Sequence, residues 1–345
     1  MKIIGCDFHP SFQQISMLDV GTGEYMRKKL LHASGEAAEF YRSLQGEVRV
    51  GIEATGSTRW FERLLEELGQ ELVMGDAAKI RASCVRRQKT DARDADQLLQ
   101  LLERDQFPAI WVPSAEERDL RELVLHRHKL VQMRTRVKNQ LQHVALNEGL
   151  QKKRQLWTKQ GRQWLEQLRL PPWTQRRRED LLQLMDELDG KVRELDQAVA
   201  TAAGQDARVR LLRTHPGVGP ITALAFVLVV GDVSRFPRSK KLTSYLGLIP
   251  SEASSGARRR LGAISKQGNT LLRTLLVEAG QSAARCDPEL RRAYQRLCRK
   301  KQHTGTAKVM VARKLAVRLY WMLKSHQPYP PARMSSSPSH SVSAA

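Results

Sequence analysis

Acidic residues, cysteines and long apolar stretches are all scarce in this chain, and each shortage removes a class of protein. Asp and Glu number 36 among 345 residues, against 58 Lys and Arg, so the formal net charge is +22. The four cysteines, Cys6, Cys84, Cys286 and Cys298, include no Cys-x-x-Cys pair. That argues against a zinc ribbon and against a disulfide framework, and predicts buried free thiols in a reducing cytoplasm. The longest apolar run, residues 221–230, is too short for a bilayer, which needs about 20 residues. The opening "MKIIGCDFHP" has too short an apolar run for a secretory signal. A cytoplasmic protein without a membrane partner is expected.

What the chain holds in excess is positive charge, unevenly spread. Residues 256–324 carry 17 Lys or Arg and 3 Asp or Glu. Such a field attracts polyanions, with binding that falls steeply as salt rises. Nucleic acid is the expected partner.

The apolar pattern predicts an amino-terminal α/β domain followed by helices. Residues 2–7, 13–20 and 25–30 read as three strands of a meander, with "GTGE" as one turn. Residues 35–45 read as a helix and 48–56 as a strand ending in a glycine turn. Residues 57–69 have helical spacing between a Ser/Thr start and a Gly stop, and 70–76 form another strand. A last helix opens at "DARDAD" and runs through residue 104. Three strands, helix, strand, helix, strand, helix is the order of a ribonuclease-H-like domain, although other α/β folds share parts of it.

Beyond residue 113 the pattern is helical. Leu123, Leu130, Val137 and Val144 lie seven apart, with Met133 and Leu141 assigned to the other seam positions. Leu181, Met185, Leu188, Val192, Leu195 and Val199 follow a 4-3-4-3-4 spacing. These repeats predict a protruding antiparallel hairpin, a dimerisation arm, or two core helices of one bundle. "LPPW" at 170–173 breaks any helix between them. The expected divisions are 1–113, a catalytic α/β domain; 114–205, a coiled-coil segment; 206–325, a mainly helical carboxy-terminal domain; and 326–345, a disordered Ser/Pro-rich tail.

Four carboxylates stand out. Asp7 ends the first strand and Glu53 a later one, while Asp91 and Asp94 lie three apart at a helix start. Residues three apart share a helix face, with Cβ atoms roughly 5–6 Å apart. Asp96 lies about 200° round from Asp94 and points elsewhere. Converging carboxylates repel unless a cation sits among them, and hard oxygen ligands suit Mg²⁺ or Mn²⁺. Two such ions can clamp a scissile phosphate. Read alone, Asp91 and Asp94 would equally serve as helix N-terminal acids beside Arg and Lys.

Two carboxy-terminal stretches suggest phosphate contacts. "PGVG" (216–219) precedes an apolar helix, either as a simple helix start or with Gly217 and Gly219 exposing backbone N–H groups to a phosphate. "SSGARRR" (254–260) places serine and glycine before Arg258, Arg259 and Arg260. By itself it reads either as a surface loop ahead of a basic stretch or as a nucleophile beside a guanidinium clamp. Lys266, Asn269 and Arg273 extend the predicted nucleic-acid contacts.

Taken in order, "GCD" (5–7), "GIEATG" (51–56), "KTDARDA" (89–95), "PGVGPITA" (216–223), "YLGLIPSEASSG" (245–256) and "ISKQGNTLLRTLL" (264–276) resemble one family, the DEDD transposases typified by insertion sequences 110, 116, 902 and 1111. The resemblance spans roughly residues 1–325. It implies a RuvC-like, ribonuclease-H-fold first domain whose acids fall on Asp7, Glu53, Asp91 and Asp94, and Mg²⁺ (or Mn²⁺) as cofactor. It implies a nucleophilic serine at Ser255, attacking a phosphodiester to give a covalent 5′-phosphoserine link, in a composite site across subunits. It further implies a bacterial, nucleoid-associated dimer assembling to a tetramer, with donor and target DNA and a structured bridge RNA as partners. The chain departs from the pattern at Phe8-His9-Pro10, where a small or basic residue is expected, and His9 falls near the metal. Tyr245 is an alternative nucleophile, but its "YLGL" setting predicts core. Two other functions compete: a structure-selective nuclease using metal-activated water alone, and a non-catalytic nucleic-acid scaffold.

Overall fold

The computed structural model describes residues 1–83, 90–152, 155–254, 260–301 and 303–330. The chain divides into two compact units, Met1–Val112 and Pro113–Ala345.

The first unit is a mixed five-stranded sheet with helices on both faces. Its elements are β1 (Lys2–Phe8), β2 (Phe12–Asp19), β3 (Tyr25–Leu31), α1 (Glu36–Ser43), β4 (Val48–Glu53), α2 (Arg59–Glu67), β5 (Glu71–Gly75), α3 (Ala77–Ser83) and α4 (Asp91–Glu103). The strand order is β3-β2-β1-β4-β5. β1 runs antiparallel to β2 and parallel to β4, and β4 parallel to β5. Side chains alternate across the sheet. Ile4, Cys6, Ile15, Val50 and Ile52 pack on one side with Tyr41, Phe61 and Leu65 from α1 and α2. On the other side, Ile3 meets Leu99 and Leu102 of α4, with Leu18, Val73 and Phe107 against them.

Two glycines decide how close α4 comes. Gly5 and Gly51 are register partners on β1 and β4. A Cβ on Gly5 would lie 2.2 Å from the Ala95 carbonyl oxygen, and one on Gly51 would lie 2.6 Å from Leu102 Cδ1. The helix therefore rests directly on the strand backbone. Because side chains repeat every second residue, Asp7 and Glu53 emerge on this same face, one step beyond the two glycines.

The second unit comprises α5 (Ala115–Asn147), α6 (Lys159–Glu166), α7 (Pro172–Gln205), α8 (Ala207–Leu212), α9 (Pro220–Val230), α10 (Ser239–Tyr245), the short strands β6 (Pro250–Glu252) and β7 (Leu261–Ile264), α11 (Thr270–Cys286), α12 (Pro288–Lys301) and α13 (Thr304–Ser325). The long apolar run is α9, whose residues from Thr222 to Val230 are all buried. A helix apolar on every side belongs at the centre of a core. α5, α7, α8 and α11 surround it. No helix among the described residues is long and apolar enough to cross a membrane.

The two heptad helices pair within one chain. Leu130, Val137 and Leu141 of α5 pack with Leu181, Met185, Leu188 and Val192 of α7. Arg127 bonds Asp196 at 2.8 Å and Arg134 bonds Asp189 at 2.8 Å, so the helices run antiparallel. Met133 is corrected: it is 49% exposed. The spacing Leu130, Val137, Leu141 follows a four-then-three rhythm that puts Arg134 in the seam, and Met133 falls one residue short. Two further expectations fail. Cys286 is exposed, while only Cys6 is buried among the described thiols; Cys84 lies outside the described residues. Helix α3 was not expected; Asp76 caps it by accepting from the Ala78 and Lys79 amides at 3.0 and 3.2 Å. Of the predicted tail, residues 331–345 lie outside the described residues. Tyr329, just before them, is packed: its hydroxyl donates to Asp287, and its ring sits 4.1 Å from that of His215.

Candidate active site and nucleic-acid contacts

Asp7 stands at the carboxyl end of β1, and the first turn of α4 lies over it. Thr90 caps that helix by accepting from the Arg93 amide. With Ala95 seated on Gly5, the turn before it delivers Asp91 and Asp94 beside Asp7. His9, in the β1–β2 turn, joins them: its Nε2 lies 3.1 Å from Asp7 Oδ2 and 3.7 Å from Asp91 Oδ1. One ligand atom from each of Asp7, His9 and Asp91 falls within 4.8 Å of the others. Burial pushes the Asp7 carboxyl above its ordinary value; His9 opposes this, and the charges of Asp94 and Asp91 add to it. A cation would relieve that repulsion, so the donor set fits a divalent metal. The carboxylates are hard ligands suited to Mg²⁺ or Mn²⁺, and the imidazole adds a nitrogen donor.

Asp94 acts on Asp7 through its charge but is not within the tight cluster, and neither is Glu53, which sits on the same sheet face at the end of β4 and pairs with Arg81 of α3 at 3.6 Å. Sequence reading missed Arg81; its only signal was the basic run beginning at Lys79.

Asp96 does something else. It accepts from Ser16 Oγ at 2.6 Å, from the Tyr25 hydroxyl at 2.6 Å and from Arg27. Burial raises this carboxyl, yet the bonds from Arg27, Ser16 and Tyr25 outweigh it and hold it below the ordinary range. Asp96 fastens α4 to β2 and β3, while its two neighbours face Asp7.

In the second unit, β6 and β7 form a hairpin closed at its loop end by the Ala253 amide on the Arg260 carbonyl at 3.0 Å. Ser254 Oγ donates to Glu252 at 2.8 Å and accepts from the Arg260 amide at 3.1 Å. Ser255, Arg258 and Arg259 lie outside the described residues. Arg260 and Lys266 are exposed, and Lys266 has a left-handed backbone at φ 55°.

Three of the predicted nucleic-acid contacts also have a role within the fold. Arg273 is 9% exposed, and its guanidinium donates to the carbonyls of Gln267 and Gly268 and to Thr270. It ties down the loop before α11. Asn269 caps α11, its Oδ1 accepting from the Leu272 amide at 2.9 Å. Gly217, at φ 86°, is needed for packing: a Cβ there would lie 2.3 Å from the Ala283 amide of α11. Gly219 is the N-cap of α9 and leaves open space around its Cα. Tyr245 is exposed rather than core, its ring against Phe236 and Arg235.

Residues 4–148 match the family model of the IS110 DEDD transposase domain, described as a transposase. Residues 209–295 match the model described as the transposase IS116/IS110/IS902 family. A probable family 20 transposase of Pseudomonas aeruginosa is 28% identical over 337 residues, covering 94% of this chain and 97% of that protein. The transposase for insertion sequence element IS1111A of Coxiella burnetii is 26% identical, over 83% of this chain and 78% of its own length. The transposase for insertion sequence element IS1328 of Yersinia enterocolitica is 25% identical over 67% of this chain and 70% of its own. The chain belongs to the IS116/IS110/IS902 transposase family. Proteins of this class act on DNA, and the DEDD domain implies use of a divalent metal.

Proposed function

We propose that this transposase cuts and rejoins DNA with Asp7, Glu53, Asp91 and Asp94 holding Mg²⁺ (or Mn²⁺) and Ser255 as nucleophile. The observation that carries the reading is the delivery of Asp91 and Asp94 onto Asp7 by the contact between α4 and β1. The strand order β3-β2-β1-β4-β5, with the acids at the ends of β1 and β4 and on α4, supports a RuvC-like ribonuclease-H fold for residues 1–113. Bound divalent cations would neutralise the carboxylates and stabilise charge gathering on the phosphate oxygens. His9 positions Asp7 and Asp91 through its Nε2.

Ser255 Oγ attacks the phosphorus, the bond to the 3′ oxygen breaks, and the 5′ end stays on the serine as an ester. Attack by a second 3′ hydroxyl reverses the step on a new partner, so bond energy is kept without ATP. The choice of Ser255 over Ser254 is supported by the hydroxyl of Ser254, which is tied to Glu252 and to the Arg260 amide. A structured bridge RNA that pairs with donor and target would supply sequence choice, and the positive charge of residues 256–324 suits such a load. The assembly is a dimer that builds to a tetramer. The test is strand cleavage of a supercoiled junction plasmid with flank-derived RNA. Cleavage should need Mg²⁺ or Mn²⁺, stop with chelator, and be lost in Asp7→Asn. Cleavage by Asp7→Asn at the wild-type rate would refute the carboxylate site.

A further inference from the structure

Far from the carboxylates in sequence, the α5–α7 hairpin ends in a tip with its own character. Residues 150–178 hold nine Lys or Arg and one Glu, with Trp157, Trp164 and Trp173 among them. A core of Ala145, Leu156 and Leu165, with Trp164 and Leu168 against it, holds the tip together. Trp157 and Trp173 stand outside that core, 40% and 86% exposed. Each exposed indole presents a flat face that a second ring can cover.

The tip also contains a cavity of about 250 Å³, lined by Trp157, Lys152, Gln142, Gln151, Leu146 and Leu150 among others. That is below the roughly 300–1,000 Å³ typical of pockets for whole small ligands, and suits a single flat ring. Lys138 Nζ lies 5.2 Å from the Trp157 ring centroid, and Lys152 Nζ 5.5 Å from that of Trp164. Lys159 and Arg169 are exposed cations of the same segment. An aromatic face, two side-chain amides and the ammonium groups of Lys138 and Lys152 together match a nucleotide: stacking for the base, amides for its edge, ammonium groups for flanking phosphates.

We propose that the hairpin tip binds one unpaired base of a folded RNA, stacked on Trp157 in this cavity. Folded RNA offers bases splayed out of the helix, whereas duplex DNA keeps its bases stacked inside. The proposal rests on the guide-RNA reading above and adds the place where the RNA is gripped.

The test uses the full chain and two labelled probes: an RNA stem–loop with an eight-nucleotide unpaired loop, and a fully paired RNA duplex of equal length. Trp157→Ala should weaken stem–loop binding by roughly fivefold to hundredfold, the worth of one stacked base, and leave duplex binding unchanged. Trp157→Phe, which keeps a ring, should restore most of the loss. Circular dichroism of Trp157→Ala should match wild type, because this residue lies outside the tip core. Equal weakening on both probes, or none on either, overturns the tip site while leaving RNA binding intact. Absence of RNA binding by the wild type at low salt overturns the guide-RNA reading as well. A changed oligomeric state in sedimentation with unchanged stem–loop affinity would make the cavity a contact between copies of the chain and overturn the proposal.

Discussion

A Cβ placed on Gly5 would lie 2.3 Å from the amide nitrogen of Leu99, so β1 and α4 meet backbone to backbone. That contact sets how far the first turn of α4 stands from Asp7. Gly5→Ala should push the helix off the strand and cost roughly 1–3 kcal/mol, the usual penalty for overfilling a packed site. Cleavage should fall more than stability does, because Asp91 and Asp94 move with the helix. Thermal melting and cleavage rate of the variant, measured together, check both halves.

The two roles in "DARDAD" separate by mutation. Asp96→Asn should lower stability by about 1–3 kcal/mol, since Arg27, Ser16 and Tyr25 lose their charged partner. It should keep metal-dependent cleavage at low temperature. Asp94→Asn should show the opposite: near-normal melting and no cleavage. Urea midpoints paired with cleavage assays decide this.

Much of this was legible in the chain. The alternation of apolar residues and the glycine turns gave the strands and helices of the first unit, and helix periodicity alone separated Asp96 from Asp91 and Asp94. Other features depend on tertiary placement that no local pattern carries. Arg273 looks like any surface arginine until the carbonyls of Gln267 and Gly268 are seen around it. The seat of Gly217 against α11 is equally invisible in the local sequence. Met133 was misplaced because seven-residue spacing leaves the intermediate seam position at either three or four residues, and Arg134 fills it by pairing with Asp189.

The arginines in the second unit should divide accordingly. Arg273→Ala should lower the melting temperature and leave the salt dependence of DNA binding unchanged. Arg260→Ala and Lys266→Ala should leave melting unchanged and each reduce the slope of log affinity against log salt by about 0.9, one phosphate contact on duplex DNA. An altered slope in Arg273→Ala without a change in melting would instead put Arg273 on a phosphate.

A buried cluster should set the pH range of stability. Burial raises the Asp287 carboxyl, but bonds from Tyr329, the Leu290 amide and Arg318 outweigh it and hold it below its ordinary value. Its contribution is therefore complete above the unfolded value of roughly 3.9 and is lost as pH falls through the lower folded value. Burial and the bond to Asp287 push the Tyr329 phenol up to about 12. That contribution is complete below the unfolded value near 10 and is lost as pH rises from there toward 12. Asp287→Asn should be less stable than wild type at pH 7 and less sensitive to acid. Urea unfolding at pH 3, 7 and 11 reads all three regimes.

The proposed reaction needs both the carboxylates of Asp7, Asp91 and Asp94 and the hydroxyl of Ser255. Its most direct measurement is a denaturing gel of a supercoiled circular-junction substrate incubated with Mg²⁺, flank-derived RNA and wild type, Ser255→Ala or Asp94→Ala protein. DNA should be covalently attached to the wild-type protein, with no attachment in either variant. Free nicked ends without attached protein, produced equally by Ser255→Ala, would contradict it and leave the carboxylates cutting alone.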